Sequence, residues 1–137
     1  MKKQLKPLLY LAAVLLLTEG CFSNPFKSRK TTVSGTVTDF DTKLGIEKVE
    51  IRIRGENGVF ASSGSILKTL LTDKEGKYNC TMDVPKTYHS LDVTVNAWDI
   101  QRYEINKNVF LNSQRTQNCC RVEIGSTVQY DFVMFPR

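Results

Sequence analysis

The sequence is poor in the residues that build catalytic centres. It contains a single histidine, His89, which excludes sites that need two or three imidazole ligands and so most catalytic zinc and non-haem iron chemistry. Neither a G-x-S-x-G nucleophile elbow nor a glycine-rich phosphate-binding loop occurs. Four prolines and eight glycines are too few for a low-complexity linker protein. We therefore expect a globular chain that is not an enzyme and that needs no cofactor.

Long apolar runs are missing as well. The longest, Leu8–Leu17, falls well short of the roughly 20 apolar residues that a membrane-spanning helix requires. Three lysines precede it, which is the arrangement of a signal peptide. The run ends in Thr18-Glu19-Gly20-Cys21, which resembles a bacterial lipobox. We therefore predict a lipoprotein signal peptide over 1–20; cleavage after Gly20 without acylation is the alternative.

The lipobox resemblance implies that Cys21 carries the acyl chains, including palmitate, that hold the protein on a membrane. Two or more chains, at about 0.8 kcal/mol per buried methylene, make such an anchor effectively permanent. Residues 21–30 then read as a lipidated cysteine followed by a flexible tether. Phe22 stands where an inner-membrane lipoprotein often has Asp. We therefore expect an anchor in the outer membrane, with the protein facing the periplasm.

The net charge is too small for a nucleic-acid footprint. Without residues 1–20 the chain retains 16 basic and 13 acidic residues, and these are scattered along the sequence. We expect no nucleic-acid partner.

Residues 31–137 are predicted to form one domain of β-strands. The clearest run is Lys48–Arg54, in which apolar and charged residues alternate, as in an antiparallel strand with one wet face. Similar alternation occurs in Val33–Asp39, Ser90–Trp98 and Thr127–Phe135. Further strand segments lie at 67–82, 102–111 and 121–124. The pattern predicts an all-β, seven- to eight-stranded antiparallel β-sandwich, with a hairpin at 67–82 that turns at Asp73-Lys74-Glu75-Gly76.

Four motifs in this domain resemble the carboxypeptidase regulatory-like family, whose fold is transthyretin-like (prealbumin-like). They are Gly35-Val37-Asp39, Val49-Ile51-Ile53, Thr72-Asp73-Gly76-Tyr78 and Gly125-Val128-Asp131-Phe132. The chain departs from the family pattern in lacking a proline before the second strand, and 112–118 looks inserted. Members of the family are often accessory domains. The resemblance therefore implies a non-catalytic module.

Polar and sulfur-containing side chains offer few sites. An exported chain can form disulfides, so Cys80 is expected either to bridge Cys119 or Cys120 or to remain a buried free thiol. His89 is expected to be a turn residue. Four acidic residues in predicted loops fit solvated turns better than a calcium site: Asp39, Asp41, Asp73 and Glu75. We expect no metal.

Candidate partner-binding residues are apolar side chains on loops and outward strand faces. The Gly/Ser-rich segment Gly55–Ile66 is predicted to be a loop with Val59 and Phe60 near its middle; Phe60 folding back onto the core is the alternative. Trp98 and Phe110 have outward parity on their strands, which fits an interface, a glycan platform or a covered sheet edge.

These observations predict a non-catalytic envelope lipoprotein that binds a protein partner. One alternative is an assembly lipoprotein of a secretion apparatus of the type VI kind, some of which are transthyretin-like sandwiches on acylated cysteines. The other is a glycan-binding surface module that uses Trp98.

Overall fold

The computed structural model describes residues 28–58, 64–96 and 102–137. Within these ranges the chain forms nine strands and no helix. The strands are β1 (Lys30–Asp39), β2 (Glu50–Glu56), β3 (Gly64–Leu71), β4 (Lys77–Asp83), β5 (Ser90–Asn96), β6 (Tyr103–Leu111), β7 (Gln114–Thr116), β8 (Arg121–Glu123) and β9 (Thr127–Pro136). No helix in these ranges has the length and apolar character needed to cross a bilayer.

The strands build two sheets, which confirms the all-β sandwich. One sheet has the order β4-β1-β9-β6-β7 and the other β3-β2-β5-β8. The described residues form nine strands, whereas the sequence predicts seven or eight. Two of the nine, β7 and β8, have only three residues each. The predicted antiparallel pairing holds except at one place, where β1 and β9 pair in parallel at the centre of the five-stranded sheet. The architecture is consistent with a prealbumin-like or immunoglobulin-like sandwich.

Strict alternation along the central strands fills the space between the sheets. Val49, directly before β2, and Ile51 and Ile53 within it have no solvent exposure, whereas the charged residues between them face outward. The same pattern in β9 buries Tyr130, Phe132 and Met134. Burying a side chain of this size stabilises the fold by about 1.5–3 kcal/mol. These strands therefore supply the core that the sequence pattern predicts.

Close approach of two strands explains Gly35 in the middle of β1. A Cβ atom at this position would collide with the backbone carbonyl of Tyr130 and would lie 2.8 Å from the Tyr78 hydroxyl oxygen. The Tyr78 hydroxyl donates a hydrogen bond to that same carbonyl oxygen at 2.7 Å. Burial raises the pKa of Tyr78 far above its usual value, so the hydroxyl remains a donor. Only glycine leaves room for this contact.

The turn at 73–76 forms as predicted, but the strands that it joins do not form a hairpin. Asp73 Oδ1 accepts hydrogen bonds from the backbone N–H groups of Glu75 and Lys77, and Gly76 has a φ of 74°. However, β3 pairs with β2 and β4 pairs with β1, in the opposite sheet. The turn is therefore a crossing between the sheets, which turn residues alone do not distinguish from a hairpin.

Two other predicted segments differ in the structure. The predicted loop Gly55–Ile66 is shorter, because its ends belong to β2 and β3, where Gly55 pairs with Ser65. The apparent insertion at 112–118 forms β7, which folds back on β6 through Asn112 and Ser113, both at positive φ. This is the two-residue connection that a tight β-hairpin favours.

The end of the predicted tether is part of the domain. The Arg29 guanidinium donates hydrogen bonds to the carbonyl oxygens of Val84, Pro85 and Tyr88 at 2.7–2.8 Å. In return the Arg29 carbonyl accepts one from the Val84 N–H. Arg29 is therefore tied to the sandwich at 84–88.

Candidate partner-binding surfaces

Several of the predicted site residues lie outside the described part of the chain. These are the signal peptide, Cys21, Val59, Phe60 and Trp98. Phe110 is described and is half-buried on β6, where it pairs across the sheet with Asp131 and Arg115. It remains a candidate contact residue, flanked by charged neighbours.

The cysteines do not pair as a Cys80 bridge would require. Cys119 and Cys120 are paired with each other, and Cys80 is a buried free thiol. Cys80 lies on β4, an edge strand of the five-stranded sheet, whereas Cys120 directly precedes β8, an edge strand of the four-stranded sheet. Of the two expectations for Cys80, the structure has the buried free thiol.

Of the predicted turn acids, Asp39 proves to be buried. Its carboxylate accepts hydrogen bonds from the N–H groups of Asp41 and Thr42 and from the Tyr103 hydroxyl, the last at 2.7 Å. The Thr42 N–H, followed by the Tyr103 hydroxyl, lowers the pKa of Asp39 below its ordinary value of 3.8. Asp39 therefore ties the end of β1 to the start of β6 rather than facing solvent.

The other polar candidates do not assemble into a site. Across 28–58, 64–96 and 102–137 no three His, Cys, Asp or Glu side chains are placed to hold a metal ion. His89 is exposed directly before β5, and its backbone N–H donates a hydrogen bond to the Glu56 carbonyl at 2.8 Å. As expected from the sequence, it occupies a turn position.

An open groove of about 790 Å³ lies on the outer face of the four-stranded sheet beside His89. Arg54, Asp92 and Arg121 form one row across β2, β5 and β8 in its lining. Its walls combine both signs of charge, since Glu56 also faces it. This balance gives the groove no preference for a cation or an anion.

Large exposed apolar side chains in the described ranges occur in two places. Phe40 and Leu44 lie in the loop after β1, where the Phe40 ring packs 4.7 Å from that of Phe135. Ile66 and Leu71 lie on β3 and are 54% and 61% exposed. The second pair lies on a strand that has a neighbour on one side alone among the described strands.

That strand, β3, is the longest edge strand in the described part of the chain. It has eight residues and pairs on one side with β2; its other side has no strand neighbour in the described chain. A long edge strand presents a row of free N–H and C=O groups that can pair with another strand. We refer to Gly64–Leu71 with its free side as the β3 edge.

A β-bulge determines which side chains the β3 edge displays. Ile53 of β2 pairs with Lys68, and the next residue, Arg54, pairs with Ile66, so Leu67 is the extra residue. Ile66 lies before the bulge and Leu71 after it, and both side chains point to the same outward face of the sheet. Without the bulge two residues five apart would face opposite sides.

Lys68 is the single charged side chain of the β3 edge. It pairs with the inward-facing Ile53 of β2, so its side chain leaves the inner side of the sheet, where it is exposed. Burial raises the pKa of Cys80, and the positive charge of Lys68 partly opposes that rise. Among the described residues Lys68 has no ion-pair partner.

Sequence reasoning missed the β3 edge. Ile66 is predicted to lie in a loop, and 67–71 to lie in a hairpin. The bulge breaks the two-residue period of GSILKTLL, so the strand lacks the alternation that marks β2. The available signal was its high content of branched and apolar residues between two glycine-containing turns.

Comparisons with known proteins add little beyond the architecture. No protein-family model matches the chain, and no curated protein does. Among solved structures it is similar to BcpA, the major pilin subunit of Bacillus cereus, with 15% identity and a TM-score of 0.47 over 79% of this chain. The C-terminal domain of the shaft pilin SpaA from Lactobacillus rhamnosus GG gives 14% identity and a TM-score of 0.45, over 79% of this chain and 98% of that one.

A third structure is a 9R-lipoxygenase from Cyanothece, with 13% identity and a TM-score of 0.44 over 94% of this chain. The chain spans 30% of the length of BcpA and 20% of that of the lipoxygenase. Similarity this low bears on neither ligand nor activity. The class of the protein, a two-sheet β-sandwich, follows from its own strands and sheets.

Proposed function

We propose that this chain is a non-catalytic lipoprotein of the cell envelope whose sandwich binds a protein partner. Cys21 carries the lipid anchor in the outer membrane, and the domain faces the periplasm. The observation that supports the binding role is the β3 edge, eight residues long, with Ile66 and Leu71 exposed and one side without a strand neighbour in the described chain. An edge of this kind is a template for a protein strand.

The start of the domain supports a position close to the membrane. Arg29 is fixed to 84–88 by its guanidinium hydrogen bonds. Seven residues, 22–28, separate it from Cys21, and fully extended they span about 25 Å at most. A lipid on Cys21 would therefore keep the sandwich within reach of other proteins on the same membrane.

The carboxypeptidase regulatory-like resemblance supports an accessory role. Three of its motif residues do structural work here: Gly35 allows the approach of two backbones, while Asp73 and Gly76 form the turn between the sheets. We propose that the chain is a free-standing relative of that family. Its partner is then a separate protein rather than a domain of the same chain.

Affinity capture from membranes tests the proposal. The tagged full-length chain is purified in mild detergent next to a double variant, Ile66→Ser/Leu71→Ser. Leu44→Ser is the matched control, because Leu44 is a similarly exposed apolar residue away from β3. We expect a protein retained by the wild type and by Leu44→Ser and lost from the double variant. Equal retention by all three would contradict the binding role of the β3 edge.

The same preparation tests the anchor and the alternatives. The intact mass of the mature chain should include the acyl groups, and Cys21→Ala should lack them; an unacylated wild type would contradict the anchor. Capture of inner-membrane secretion subunits would favour the assembly-lipoprotein alternative. Binding to a glycan array that is lost in Trp98→Ala would favour the glycan alternative.

A further inference from the structure

The β3 edge has features that select one kind of occupant. Its outward side is apolar at Ile66 and Leu71, and its inward side is apolar at the half-buried Leu67 and Leu70. Lys68 interrupts this surface with a positive charge that has no ion-pair partner among the described residues. A strand placed alongside β3 would have to match both the apolar sides and the charge.

A second copy of this chain fits poorly. In an antiparallel pair of two β3 strands, the register that sets Ile66 of each copy against Leu71 of the other brings both Lys68 residues close to the centre of the pair. Both side chains then lie on the same, inward side of the extended sheet. Like charges at such positions destabilise strand pairing, and lysine on an edge is a recurrent protection against self-association.

We propose that β3 binds an extended segment of the protein partner as an added strand, and that this segment carries Asp or Glu beside Lys68 and apolar residues beside Ile66 and Leu71. This inference rests on the proposed binding function and adds the chemistry of the partner. The backbone of the segment pairs with the free side of β3 and continues the sheet order β3-β2-β5-β8 outward. The acidic side chain gives Lys68 an ion-pair partner of opposite charge.

The register of β3 explains why the acid would be needed at one position. Lys68 pairs with the inward-facing Ile53 of β2, so its side chain leaves the inner side of the sheet, where it is exposed. A residue of the added strand that pairs with Lys68 points to the same side and can bring a carboxylate next to its ammonium group. Outward positions of the segment would instead extend the apolar contact made by Ile66 and Leu71.

Peptide selection with charge reversal tests the inference. The full mature chain, purified from membranes in detergent, is screened against a random twelve-residue peptide library displayed on phage. We expect peptides in which an acidic residue is flanked by alternating apolar residues. With Lys68→Glu the selected residue should change to Lys or Arg, and the original peptides should bind about tenfold more weakly.

Lys77→Glu is the matched control, since Lys77 is an exposed lysine on β4, the edge strand of the other sheet. It should leave the selected peptides and their affinities unchanged. Hydrogen exchange then locates the bound peptide without any substitution: amides of 64–71 should gain protection, whereas those of 114–116 should not.

Three results would overturn the inference: selected peptides without the acidic residue, the same peptides selected by Lys68→Glu, or protection that leaves β3 unchanged. They are distinguishable from failure of the proposed function. If membranes yield a partner that Lys68→Glu and the double variant Ile66→Ser/Leu71→Ser still retain, the chain binds a protein but does so away from β3.

Discussion

The two long edges of the sandwich are built differently. At one edge β7 and β8 have three residues each, and the chain crosses between them through 117–120. At the other edge β3 and β4 have eight and seven residues, and the crossing at 72–76 closes one end alone. Short edge strands are a common protection against unwanted pairing. The comparison shows a closed edge made of two short strands, whereas the β3 edge keeps an eight-residue strand with no strand neighbour on one side in the described chain.

Side-chain hydrogen bonds brace the chain at both edges. The Tyr130 hydroxyl donates to the Arg121 carbonyl at 2.8 Å, which links β9 to the start of β8 in the other sheet. Thr116 Oγ1 accepts a hydrogen bond from the Asn118 N–H within the crossing. On the β3 side, Thr72 ties the end of β3 to the segment that leads into β2: its hydroxyl donates to the Ile46 carbonyl and accepts from the Val49 N–H.

The largest expected effect on stability comes from the close approach of β1 and β9 in the middle of the five-stranded sheet. Gly35→Ala would force a methyl group into the Tyr130 carbonyl and separate β1 from β9. We expect the free energy of unfolding to fall by about 3 kcal/mol or more, as in severe overpacking. Urea unfolding measures it, and Ser34→Ala on the outward side of the same strand is the control. Equal stability of the two variants would show that β1 and β9 can accommodate the methyl group, which contradicts this prediction.

A smaller loss of stability should distinguish the two edges. Thr72→Val leaves a buried carbonyl and a buried N–H without their partner, which should cost about 1–3 kcal/mol. Thr116→Val removes the more exposed hydroxyl of the closed edge and should cost less. Thermal unfolding of both variants measures the difference. A larger loss for Thr116→Val would contradict the greater dependence of the β3 side on its single crossing.

Acid should affect the contact between β1 and β6. Because the folded pKa of Asp39 is below its ordinary value of 3.8, its contribution to stability is present above that pH and is lost as the pH falls further. Asp39→Asn should be less stable than the wild type at neutral pH, and the difference should shrink below about pH 3.8. Urea midpoints at pH 7 and pH 3 test this. A constant difference would mean that the charge of Asp39 contributes nothing.

The smallest effect on stability is expected at the β3 edge itself. Ile66→Ser and Leu71→Ser should each change the free energy of unfolding by no more than about 0.5 kcal/mol, since both side chains are largely exposed. Their effect should appear in partner binding instead. Leu44→Ser should match them in stability but retain binding. A stability loss above about 1.5 kcal/mol would identify these residues as packing residues.

How far the sequence predicts this structure depends on the range of the interactions involved. β1, β2 and β9 follow from alternation, which is local. The pairing of β3 and β4 with different sheets, and the burial of Asp39, depend on partners distant in sequence, since Tyr103 is 64 residues from Asp39. The β3 edge was missed because its bulge disrupts the local pattern.

Site-specific photo-crosslinking in intact cells tests the central claim most directly. A photoreactive residue is placed at position 71 on β3 and, in a second strain, at position 115 on β7, both exposed on edge strands. The account requires a covalent adduct with a partner protein from position 71 and none from position 115. An adduct from position 115 with none from position 71 would contradict it.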